Sequence, residues 1–210
     1  MSTNAVAEGR FHLSSESFVR VLPAVALAVS PVLYAISTLT WQDDGIHGVA
    51  GAVWNAGALV GWLYGLNAVY DLLAHRFPRF TAVARLVLMI GVAGGVAFAM
   101  RGFYDGALGN SPETSLRLLQ DHQLASELLM FLPGPLFPIS LILLGIALAK
   151  ARLVPRALGI AVAVTGVVFP FTTILRLHEG ALGLSIVMIG VFGWLAYLYG
   201  TGRMSDARSD

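Results

Sequence analysis

The chain has 210 residues, of which 57% are hydrophobic and 12% charged, and its mean hydropathy of +0.76 is too apolar for an ordinary water-soluble domain. A formal charge of +1 offers no global field for nucleic acid. The absence of cysteine excludes disulfides, thiolate metal sites and a cysteine nucleophile.

Six apolar runs fall near 18–40, 49–73, 80–100, 124–149, 153–175 and 181–200. Each is about the 20 residues needed to cross a bilayer. The runs are continuous rather than alternating, which excludes a β-barrel. The pattern predicts an all-α, polytopic six-helix membrane bundle over 18–200, with tails at 1–17 and 201–210. The first run continues through Pro31 to Thr40 and reads as an anchor rather than a cleaved signal.

Basic residues set the expected orientation. With both termini cytoplasmic, the inner side holds Arg10, Arg20, Arg76, Arg79, Arg85, Lys150, Arg152, Arg156, Arg203 and Arg208, ten of the 13 basic residues. Arg101, Arg117 and Arg176 lie outside, together with Asp43, Asp44, Asp105, Glu113, Asp121, Glu127, Glu179, His47, His122 and His178. The expected location is the plasma (inner) membrane. The short inner loops read as topology signals and headgroup contacts. The longest outer loop, 102–123, contains Asn110-Ser111-Pro112-Glu113, a helix-start signal that predicts a short helix from Pro112.

In the second run, Gly57, Gly61 and Gly65 recur every four residues, flanked by Gly51 and Ala58, and form a ridge for close helix packing. The same groove is the candidate for a flat or polyisoprenoid ligand beside Trp54 and Tyr64, with His47 on its stripe. Gly91, Gly94 and Gly95 in the third run, and Gly190 and Gly193 in the sixth, also favour close packing. Trp41, Trp62, Trp194, Tyr197 and Tyr199 suggest an aromatic belt. Asp71 is expected to pair with Arg76 or Arg79.

The fourth run contains Phe131-Leu132-Pro133-Gly134-Pro135-Leu136-Phe137-Pro138. These prolines cannot sit in an unbroken helix, because each lacks a backbone donor and clashes with the preceding turn. Phe169-Pro170-Phe171-Thr172-Thr173 interrupts the fifth run at similar depth. Irregular backbone within a membrane must meet protein, water or ligand, so two breaks at one level suggest a cavity. Above it, Gln120, Gln123 and Glu127 share a helix face. A carboxylate at that depth is costly unless satisfied, which predicts an inward Glu127 partnered by Arg176, His178 or His47.

These features nominate Glu127, Asp44 and His178 for catalysis, and His47, Trp54, Gln123, Phe131, Phe137, Phe169 and Arg176 for ligand contact. No histidine pair has the four-residue spacing of a helical metal site, so no metal is assigned and no cofactor is named. The lone lysine, Lys150, sits at a span end, which excludes an intramembrane Schiff base. Three readings stay open. The first is a non-catalytic module that binds a quinone, isoprenoid or lipid, or joins other membrane subunits. The second is an enzyme doing acid-base cyclisation or isomerisation on an isoprenoid-like substrate with Glu127 as acid. The third is a small transporter, for which no convincing inverted repeat is present. The bilayer is the expected partner in each, and nucleic acid in none.

Overall fold

The structure, a computed structural model, describes residues 15–41, 47–175 and 177–204. Its elements are α1 (Ser15–Leu39), α2 (Gly48–Ala74), α3 (Pro78–Leu108), α4 (Pro112–Asp121), α5 (Gln123–Ser126), a π-helical turn (Glu127–Phe131), α6 (Leu136–Ala151), α7 (Arg156–Ile174) and α8 (His178–Gly200). Six segments are long and apolar enough to cross a membrane, the fourth being Gln123–Ala151 taken across its interruption. The chain is an all-α, multi-pass membrane protein.

The six spans form a closed ring in chain order. Span α1 packs on α2, α2 on α3, α3 on α6, α6 on α7 and α7 on α8, and α8 returns to α1. Short connections make successive spans antiparallel, which gives the ring a basic end with Arg76, Arg79, Lys150 and Arg156, and a histidine end with His47 and His178. Along α2, the face carrying Ala58, Leu59, Trp62, Leu66, Val69 and Leu73 turns inward and fills the ring with Tyr34, Phe137, Leu141, Met188 and Phe192. Trp62 therefore does not join an interfacial belt. It is 0% exposed, because residue 62 lies midway along α2 on the inward face.

The glycine ridge of α2 is occupied by α1. A Cβ on Gly61 would strike the Ser30 hydroxyl, and one on Gly65 would lie 2.7 Å from Leu27 Cγ. Trp54 and Tyr64 point away from the bundle, Trp54 being 40% exposed. The ridge is thus a helix-packing surface, and its stripe does not carry His47 and Trp54 to a common groove.

At the basic end Asp71 pairs with Arg85, not with Arg76 or Arg79. Arg76 instead donates to the Ala151 carbonyl, one of the acceptors left over at the C-terminus of α6.

Helix α3 extends beyond its apolar run to Leu108 and stops at Gly109, whose φ of +68° closes the helix in the left-handed region. Helix α4 begins at Pro112 as the sequence predicts, and Ser111 Oγ accepts from the Thr114 N–H at 3.2 Å.

Candidate functional site

The polar residues of the histidine end gather where α1, α2, α7 and α8 meet. His47, immediately before α2, is 4% exposed. Its Nδ1 accepts from Trp41 Nε1–H at 2.7 Å. The Ser37 hydroxyl lies 2.9 Å from the same nitrogen and donates to the Gly51 carbonyl at 2.9 Å. Gly51 permits this closeness, since a Cβ there would strike Thr40 Oγ1 and lie 3.0 Å from His47 Cβ.

The indole has only a donor to offer, so Nδ1 must be unprotonated and the ring proton sits on Nε2. Burial pushes the His47 pKa down to about 4, offset in part by the Ser37 backbone, which favours the protonated ring. The imidazole is accordingly neutral near pH 7 and keeps this tautomer. Asn55 Nδ2 lies 3.5 Å from Nε2, and Asn55 is 8% exposed. The Asn55 amide thus meets the Nε2 edge of the ring at hydrogen-bond distance.

Trp41 also stands edge-on to His178, with ring centroids 6.0 Å apart. Below this knot, Tyr34 approaches Thr173, hydroxyl to hydroxyl at 3.4 Å. Aromatic rings continue inward, with Phe169 5.3 Å from Tyr34, Phe137 5.7 Å from Phe169, and Trp62 5.2 Å from Phe137. The Trp62 indole N–H, fully buried, has no hydrogen-bond partner among the described residues.

Glu127 occupies a different setting. It opens the π-helical turn, is exposed, and among the described residues has no hydrogen-bonded or ion-paired side-chain partner. Gln123 and Phe131 are exposed with it. The inward burial expected for Glu127 is not found, because the π turn packs on the ring mainly along α3 and leaves the Glu127 face outside. A π turn also adds a residue to its loop, which moves the following side chains off the register of a regular helix.

The helix break itself is present and runs from the π turn through Leu132–Pro135. Gly134 N–H donates to the Met130 carbonyl at 2.8 Å and Leu136 N–H to Pro133 at 2.9 Å. The irregular backbone rests on α3. A Cβ on Gly91 would strike the Phe137 backbone nitrogen, and one on Gly94 would strike Pro133 and lie 2.8 Å from the Gly134 nitrogen. Protein therefore fills the notch that the prolines open, and the break supplies no cavity by itself.

A second polar cluster at this end went unnoticed in the sequence. Asp105, buried near the end of α3, accepts from Ser115 Oγ–H of α4 and from Asn110 Nδ2–H at 3.1 Å, and pairs with Arg101 Nε at 3.3 Å. Arg101 also donates to Ser115 Oγ at 3.0 Å. This cluster clamps α4 to α3. The four-residue spacing of Arg101 and Asp105 was the available signal.

Of the nominated residues, His47, His178, Phe137 and Phe169 converge through Trp41 and Tyr34, whereas Glu127, Gln123 and Phe131 lie elsewhere and Trp54 faces outward. Asp44 and Arg176 lie outside the described residues. Ser37, Asn55 and Tyr34 are members that sequence reasoning missed, although Ser37 and Asn55 interrupt apolar runs. Among the described residues no three His, Asp or Glu side chains gather as a metal site. Comparison with protein families, curated proteins and solved structures returns no match.

Proposed function

We propose that this membrane protein is a non-catalytic module that binds a lipophilic molecule with an acceptor oxygen at its head, a quinone, isoprenoid or lipid, at the meeting point of α1, α2, α7 and α8. The supporting observation is the buried imidazole–amide pair of His47 and Asn55, whose Nε2 and Nδ2 lie 3.5 Å apart. A neutral imidazole and a carboxamide each carry an N–H that donates to a ligand carbonyl or hydroxyl oxygen. Tyr34 and Phe169 offer an aromatic surface to the body of such a ligand, as apolar walls with few placed polar groups do in ligand sites generally. The neutral state of His47 at pH 7 suits donation to an uncharged acceptor. The reading places the protein in the plasma (inner) membrane with both termini cytoplasmic, following the basic asymmetry of its loops.

The test is saturable binding by the detergent-purified protein, followed by tryptophan emission. The probes are a short-chain benzoquinone, an isoprenoid alcohol and a diacylglycerol. At least one is expected to bind saturably, with affinity reduced about tenfold or more in His47→Phe and Asn55→Leu, equivalent to about 1.4 kcal/mol. Absence of saturable binding to all three, or equal affinity in both variants, refutes the proposal.

A further inference from the structure

At the opposite, basic end, α6 and α7 enclose a groove of about 460 Å³ lined by Gly145, Ile146, Ala149, Ile160 and Ala163, with Lys150, Arg152 and Arg156 also in its wall. The two backbones touch at its floor. A Cβ on Gly145 would lie 2.5 Å from the Gly159 carbonyl oxygen, and one on Gly159 would lie 2.8 Å from the Ala149 nitrogen. Ile146 and Ile160 remain exposed on either side, so the slot opens laterally from two membrane-spanning helices, where its surroundings are acyl chains.

Its polar end is entirely cationic. Lys150 stands in the last turn of α6, Arg152 follows it in the left-handed conformation that ends the helix (φ +53°), and Arg156 begins α7. Among the described residues none of the three has an acidic partner, and Asp71, on the same end of the bundle, is already paired with Arg85. Helix α7 also starts without a side-chain cap, so its first N–H groups and the positive end of its dipole face the same region.

We infer that this groove is a binding site for one anionic phospholipid, whose phosphate is held by Lys150, Arg152 and Arg156 and whose acyl chain lies between Ile146 and Ile160. An apolar slot open to the bilayer and capped by three cations that have no acidic partner among the described residues fits both halves of such a molecule. A free phosphate uses only the cations, and a zwitterionic lipid brings its own positive charge to them. Basic pockets between spanning helices on the cytoplasmic side hold anionic headgroups by this arrangement.

The test is lipid retention by the full chain in neutral detergent, measured by native mass spectrometry during titration with phosphatidylglycerol and with phosphatidylcholine of the same chains. Preferential retention of phosphatidylglycerol is expected. Each cation contributes about fivefold, so the combined substitution Lys150→Gln, Arg152→Gln and Arg156→Gln should weaken retention about 100-fold. Arg79→Gln, at the same end but outside the groove, should leave it unchanged. Ile160→Trp keeps every charge and fills the slot, and should weaken retention tenfold or more even if the triple variant fails to fold. Equal retention of the two lipids, wild-type retention by Ile160→Trp, or displacement of phosphatidylglycerol by equimolar inorganic phosphate would each overturn the assignment.

Discussion

His47 and Glu127 both sit near the same end of the bundle beside an apolar run, yet their surroundings differ in kind. His47 lies at the junction of α1 and α2, with Trp41 bonded to its ring and α8 beyond Trp41, and is only 4% exposed. Glu127 belongs to a segment that meets the ring mainly through α3, so its helix has an outer face and the carboxylate stands on it. Depth along the chain is therefore a poor guide to burial. The number of neighbouring elements decides it.

The largest test asks whether the two ends face opposite sides of the membrane. With no native cysteine, single cysteines at Asn110 and Phe77 should divide cleanly, the first labelled from outside the cell and the second protected. Reversal of that pattern would exchange the sides assigned to the histidine and basic ends.

Next in size is the notch under the broken span. Gly94→Val puts a branched side chain into the backbone at Pro133 and Gly134, and should lower stability in detergent by more than about 3 kcal/mol. A thermal transition unchanged from wild type would mean that α3 does not support the break.

Asp105→Ala leaves Arg101, Ser115 and Asn110 without their common acceptor, and should cost about 3 kcal/mol. It should also open α4 to proteolysis before the spans yield. Cleavage at the wild-type rate would show that the clamp does not hold α4.

A smaller effect comes from the pH dependence of His47. Its folded pKa of about 4 lies below the ordinary 6.5, so between these values the unfolded chain binds the extra proton. This contribution is complete above pH 6.5 and is lost as pH falls towards 4. The loss should reach about 2 kcal/mol by about pH 5. His47→Gln should flatten the profile across that window, and a mutant profile parallel to wild type would contradict the burial of a neutral imidazole.

Glu127→Gln should produce the smallest change, within about 0.5 kcal/mol and with no effect on ligand affinity, because the wild-type carboxylate is exposed and has no partner among the described residues to lose. A large loss of binding in that variant would return Glu127 to the site and reopen the acid-base reading.

The six spans and the starting point of α4 were legible in the sequence because they depend on local quantities: apolar length against bilayer thickness, and a capping serine followed by proline. The break after Phe131 was legible for the same reason, since a missing N–H is a property of proline wherever the helix lies. Which groups were buried together was not local. Trp62 read as an interfacial aromatic until the inward face of α2 was known, and Asp71 could have met any of several arginines until α2 and α3 were placed side by side. The cavity expected at the proline cluster depended on what lay opposite, and the tertiary structure put the glycines of α3 there. The polar knot at His47 likewise joins residues of α1 and α2 in one register and draws in His178 through Trp41. Sequence determined which segments cross the bilayer, because hydrophobic transfer acts on each helix separately. Only the closed order of the ring decided which polar atoms share a buried space, because hydrogen bonds and close packing require particular neighbours at particular distances.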